Sequence, residues 1–191
     1  MPLTTQEWHN RYSQQAEWTR GLRNYLYTRV ELGQGHRVLD VGCGTGILVA
    51  EMEERIQGDI FGLDLSLRNL SLAIGYAKHA NFLQGDAHFL PYSNQIFDLS
   101  YCHFLLLWVT NPLKVVKEMA RVTRPGGVVL ALAEPDYGSR IDFPEPLPTL
   151  GQWQATSLEY QGADPRLGRR LSALFHQAGL VGVQTGVLGG E

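Results

Sequence analysis

The chain has 191 residues, 44% hydrophobic and 18% charged, which is the composition of one globular domain and excludes a disordered chain, collagen or a long coiled coil. The net charge of -3 gives no electrostatic reason to approach a polyanion, so nucleic acid is not the expected partner, although 13 of the 16 cations are Arg. The opening MPLTTQEWHN has no basic-then-apolar signal pattern and no apolar run approaches the ~18 residues of a membrane span, so the expectation is a cytoplasmic protein with Cys43 and Cys102 as free thiols.

Residues 4–30 read as helix. Thr4 with Glu7 three positions on is a capping-box signal, Trp8, Tyr12, Leu22, Leu26 and Val30 share one face, and a gap near 13–17 predicts two helices. Gly33 and Gly35 end this segment, which is expected to form an N-terminal helical cap over residues 1–35. Strand and helix then alternate: strand 36–41, helix 47–54, strand 59–65, and a helix N-capped by Ser66 to about 79. Strands at 81–84 and 97–102 follow, then a helix opened by Asn111 and Pro112 to about 122, and an apolar strand at 128–133. This rhythm predicts an α/β, Rossmann-like, doubly wound fold: a mostly parallel sheet with helices on both faces. The segment at about 135–165, rich in proline and carrying Trp153 and Tyr160, interrupts it and reads as a lid-like insertion. A helix at 167–178 and a sixth strand at 181–188 are expected to close a cofactor-binding domain over 36–191.

Glycine is in excess, 21 residues where an average chain of this length has fewer. Its placement is informative: Val38-Leu39-Asp40-Val41-Gly42-Cys43-Gly44-Thr45-Gly46 runs from a strand through three alternating glycines into a helix, a turn that lets a ligand approach the backbone. The dinucleotide fingerprint needs a glycine three residues after its second, and Ile47 stands there. Asp40, two residues before the loop, would repel a pyrophosphate and attract an ammonium. S-adenosylmethionine, with a sulfonium, an α-ammonium and no phosphate, fits. Asp64 ends the second strand, where an acid can accept from ribose hydroxyls, and Asp86 follows the third, where it can accept from an adenine amino group.

On these segments, together with GLDLS (62–66), GDAHFLPYSNQIFDLSYCHFLLLWV (85–109) and EMARVTRPGGVVLALAEPD (118–136), the chain resembles the class I S-adenosylmethionine-dependent methyltransferases of the ubiquinone/menaquinone-biosynthesis type. The resemblance implies that Asp40, Gly42, Cys43, Gly44 and Gly46 border the methionine moiety, Asp64 and Leu65 the ribose, and Asp86 and Ala87 the adenine. It places Cys102 and His103 on the sulfonium side and implies a small-molecule acceptor. Tyr12, Trp8 and Trp18 are expected to cover the cofactor, and Trp108 to lie in the core. His103, with a scaffold role as its alternative, and Glu134, which could instead orient substrate, are the candidate general bases. No metal site is expected. The rival readings are a cofactor-binding module without turnover and a nicotinamide-dependent oxidoreductase. The family ends with an antiparallel seventh strand between the fifth and sixth. This sequence has no residues for it, so the natural chain is expected to continue beyond Glu191.

Overall fold

The computed structural model describes residues 3–187. Five parallel strands form one sheet: β1 (Arg37–Val41), β2 (Asp59–Asp64), β3 (Asn81–Gln84), β4 (Phe97–His103) and β5 (Thr123–Leu132). Their order is β3-β2-β1-β4-β5, so the direction of winding reverses between β1 and β4. At that switch point helices leave toward opposite faces, and a crevice opens beyond the carboxyl ends of the two strands.

Alternation along the strands feeds two cores. Val38, Ile60, Leu99 and Tyr101 pack beneath α3 (Ile47–Arg55) and α4 (Leu67–Tyr76), together with Ala16 of α1 (Thr5–Trp18) and Tyr27 of α2 (Arg20–Arg29). Leu39, Val41, Leu63 and Cys102 face the other way onto α5 (Pro112–Val122) and α7 (Leu171–Gln177). Local signals act as expected: the Thr4–Glu7 capping box opens α1, Ser66 caps α4 through the Asn69 N–H, and Asn111 caps α5 ahead of Pro112. The break between the first two helices falls at Thr19 rather than at 13–17.

The three loop glycines all take left-handed backbone, with φ of +76° at Gly42, +54° at Gly44 and +80° at Gly46. A Cβ on Gly46 would lie 2.7 Å from the Ala73 Cβ of α4. Gly46→Ala therefore combines backbone strain with overlap against a helix, and is expected to cost about 2–4 kcal/mol, read as a lower urea midpoint at unchanged slope.

Two expectations are corrected. The helix at 167–178 begins as a 3-10 turn over Leu167–Arg170 before α7. The sixth strand does not form over 181–187, and Leu188 lies outside the described residues. Valine alternation makes a strand only where a neighbour supplies ladder hydrogen bonds. Here Val181 and Val187 are solvated, Gly182 is left-handed, and Gln184 accepts instead from Arg29 of α2 at 2.7 Å. Between β5 and the last helix lie the 3-10 turn Tyr137–Ser139 and α6 (Leu147–Tyr160), so the 135–165 segment is itself largely helical.

Candidate functional site

A cavity of about 500 Å³ opens at the switch point. Its floor is the end of β1 and the glycine turn: Asp40, Gly42, Cys43, Gly44 and Thr45. Asp64 and Asn69 form one flank, and His103, Phe104, Leu105, Leu107 and Trp108, following β4, form the other. Two helices complete the wall with the same spacing, Trp8, Tyr12 and Gln15 from α1, and Gln154, Leu158 and Gln161 from the α6 end. Positions i, i+4 and i+7 share one helix face, so each helix turns a single stripe toward the cavity. The lining contains two aspartates and neither Lys nor Arg.

Asp64 joins two turns. Its Oδ2 accepts from the Gly44 N–H and its Oδ1 from the Ser66 N–H, both at 2.8 Å, tying the glycine loop to the start of α4. Asp40 is buried beside it. Burial pushes the Asp40 carboxyl up to about 8; the neighbouring Tyr101 hydroxyl holds it down, Asp64 raises it further and Arg23 opposes that rise. Tyr12 packs its ring over the loop, 3.7 Å from where a Gly44 Cβ would stand.

The two candidate bases have different surroundings. Glu134 is buried after β5, outside the cavity lining, and its carboxylate accepts the N–H groups of Leu105, Leu106 and Leu107 at 2.8, 3.1 and 3.2 Å. Those bonds hold the turn that follows Phe104, which is strained at φ +51°. Burial raises the Glu134 carboxyl to about 7 against the pull of these donors. His103 lines the cavity, and its Nε2 lies 2.9 Å from the Thr19 Oγ1. Burial, reinforced by Arg23, holds its imidazole down to about 3, so it is neutral at physiological pH.

The methyltransferase-domain family matches residues 39–131. A demethylmenaquinone methyltransferase of Lysinibacillus sphaericus is 34% identical over 180 residues, covering 84% of this chain and 76% of the relative. The chain belongs to the class I S-adenosylmethionine-dependent methyltransferases. A Streptomyces halstedii methyltransferase is 34% identical over 125 residues, 62% of this chain and 45% of that protein. The chain thus spans about half the length of the Streptomyces protein and three quarters of the Lysinibacillus one. Among solved structures, an S-adenosylmethionine-dependent methyltransferase of Thermotoga maritima shares the fold with a TM-score of 0.66, over 91% of this chain and 77% of its own, at 21% identity.

Within this methyltransferase domain the cavity gathers Asp40, Gly42, Cys43, Gly44, Asp64, Tyr12 and His103 from the expected residues; Gly46 stands just behind as the N-cap of α3. Leu65, Asp86, Ala87 and Cys102 do not line it. Asp86 is half exposed and accepts from the His88 N–H, while Cys102 lies in the core with its Sγ 3.8 Å from the Glu134 Oε1. Trp18 points to solvent, and Trp108 lines the cavity instead of the core. Sequence reasoning missed Thr45, whose hydroxyl lies 2.9 Å from the Nδ1 of buried His9, and Asn69, beside Asp64. It also missed Gln15, Gln154 and Gln161, although their i, i+4, i+7 relation to Trp8, Tyr12 and Leu158 was a readable signal.

The raised carboxyls make stability depend on pH. Asp40 and Glu134 bind protons more tightly folded than unfolded, where their values are 3.8 and 4.5. Their contribution is complete below those unfolded values and is lost as pH rises through about 7 and about 8. His9 and His103 are lowered and act oppositely below their ordinary value of 6.5, and the buried Cys43 and Cys102 thiols, raised from 9.0, add to the loss only toward pH 9, which leaves a window from pH 7 to about 8. The melting temperature without ligand is expected to fall between pH 7 and about 8 and to fall less steeply in Asp40→Asn, where Glu134 alone of the two carboxyls remains; a rise would contradict the assignment.

Proposed function

We propose that the chain transfers a methyl group from S-adenosylmethionine to a small-molecule acceptor bearing an oxygenated ring, by in-line displacement. The observation that carries this reading is the cavity at the switch point, lined among the described residues by two aspartates and neither Lys nor Arg, which suits a phosphate-free cofactor whose ammonium can draw the proton off Asp40 and offers a pyrophosphate no cation. When bound, S-adenosylmethionine supplies a methyl already activated on a sulfonium. Asp40 would hold the ammonium, Asp64 and Asn69 the ribose, and the glycine turn would leave the backbone open to both. Asp86 and Ala87 remain the proposed adenine side. The demands on the protein are alignment and exclusion of water. Trp8, Tyr12 and Gln15 support the reading of residues 1–35 as a cap, and Gln154, Leu158 and Gln161 that of residues 135–165 as a lid. Glu134 serves to anchor the turn after β4 and His103 faces the acceptor.

The ring-type acceptor is supported by the demethylmenaquinone methyltransferase relatives. No helix among the described residues is long and apolar enough to cross a membrane. A cytoplasmic location is supported by two buried free thiols, the state a reducing compartment maintains.

Calorimetric titration tests the cofactor. S-adenosylhomocysteine is expected to bind and NADH not to, and the reverse would overturn the reading. Asp64→Ala is expected to weaken S-adenosylhomocysteine by ~1–3 kcal/mol, through lost ribose contacts and a loosened Gly44 turn.

A further inference from the structure

The proton carried by His103 is decided by a buried chain of polar groups that the methyl-transfer reading does not use. Arg23 of α2 is 1% exposed. Its Nε donates to Glu51 of α3 at 3.1 Å, its Nη2 pairs with the same carboxylate, and its Nη1 donates at 2.6 Å to both the Ala16 carbonyl and the Thr19 Oγ1. Thr19 has one hydroxyl proton to give. The Ala16 carbonyl already accepts from Arg23 and from the Thr19 N–H, and the Gln15 carbonyl is 3.3 Å away, whereas the His103 Nε2 is at 2.9 Å.

A hydroxyl that accepts from a guanidinium is polarised into a better donor. An N–H on Nε2 would also point its positive end toward Arg23, while a lone pair there is attracted by it. The imidazole is neutral, so a lone pair on Nε2 puts the proton on Nδ1. Among the described residues the ring hydrogen-bonds through Nε2, and it lines the cavity. The charged groups around the ring are Arg23, with Glu51 behind it, and Asp40, which lines the same cavity.

We propose that His103 presents Nδ1–H to the cavity as a fixed neutral donor, held in that tautomer by Thr19 and Arg23, and that it selects acceptors offering an oxygen over acceptors offering an amine. This deepens the methyltransferase reading and rests on it for the identity of the cavity. A donor facing an acceptor oxygen makes a hydrogen bond and favours negative charge there; facing an amine N–H it meets another donor, and the buried group is left unmatched. In this role His103 does not remove a proton, and the acceptor's proton goes to solvent.

Nitrogen NMR of protein labelled with 15N-histidine reads the tautomer directly, with the signal assigned by its loss in His103→Asn. The expected result is the neutral Nδ1–H form, unchanged from about pH 5.5 to 8.5, and conversion toward Nε2–H in Thr19→Val. An Nε2–H form in the unaltered protein, or a titration near the ordinary histidine value, would overturn the proposal. Selection is read by titrating 1-naphthol and 1-naphthylamine into protein saturated with S-adenosylhomocysteine. The naphthol is expected to bind about tenfold tighter, the worth of one hydrogen bond, with the preference lost in His103→Leu and kept in His103→Asn, whose amide can donate from the same place. Equal affinity for the two probes would overturn the selectivity. Failure of S-adenosylhomocysteine to bind at all would instead strike the methyltransferase reading, leaving the tautomer result to be judged alone.

Discussion

Asp40→Asn is expected to lower affinity for S-adenosylhomocysteine by about 2–3 kcal/mol, or roughly 30- to 160-fold, while leaving a folded protein. The reason lies in the state of the group before binding. Asp40 is buried and its carboxyl is raised to about 8, so below that pH the carboxyl holds a proton that must leave before an ammonium can be paired. Binding near pH 6 should therefore release close to one proton per molecule, and affinity should climb about tenfold from pH 6 to pH 7. Calorimetry in buffers of different ionisation enthalpy counts the proton. In Asp40→Asn both the release and the slope should vanish. An unchanged affinity with the same proton count would remove Asp40 from the ammonium site, whereas mere unfolding would show as loss of the native melting transition.

The largest effect on stability is expected at Arg23. Arg23→Met leaves the Ala16 carbonyl and the Thr19 hydroxyl without their shared donor and Glu51 held by Arg55 alone; breaking a buried ion pair costs about 3–5 kcal/mol, and the low end, about 3 kcal/mol, is expected where one partner keeps a second cation. In a chain of this size that is roughly 10 °C of melting temperature. Arg23→Lys should recover only part, because an ammonium cannot present the fork that reaches Glu51 and Thr19 together. The double variant Arg23→Met with Glu51→Met should recover more than either single one, since removing both charges also removes the cost of burying them. Strict additivity would show that the pair does not couple. Recovery would mean that the ion pair is retained for position: it holds α2 against α3 and sets Thr19 against His103 at the wall of the cavity.

The legibility of the fold followed the range of the interactions. The Val38–Gly46 segment announces strand, turn and helix because glycine alone takes left-handed backbone without strain, and Gly42, Gly44 and Gly46 all do so. Thr4, Ser66 and Asn111 mark helix starts because a cap is a bond between residues three apart. The sixth strand failed on the same criterion, since residues 181–187 show strand alternation but a strand is completed by a partner that local sequence does not contain.

The sequence by itself determined the parallel α/β order, the glycine turn, and the two acids, Asp40 and Asp64, that meet at its edge, because each depends on backbone conformation, short spacing or strand-end position. Tertiary structure alone decided what the side chains are used for. Glu134 is consumed by three backbone N–H groups almost 30 residues away, Asp64 spans from the Gly44 turn to Ser66, and His103 receives its hydrogen-bond partner from Thr19, 84 residues earlier. A carboxylate or imidazole has the same formula wherever it stands. Its protonation and its free lone pairs are set by burial and by partners brought together through packing, and so the chemistry of these groups emerges only when the sheet and its covering helices are assembled.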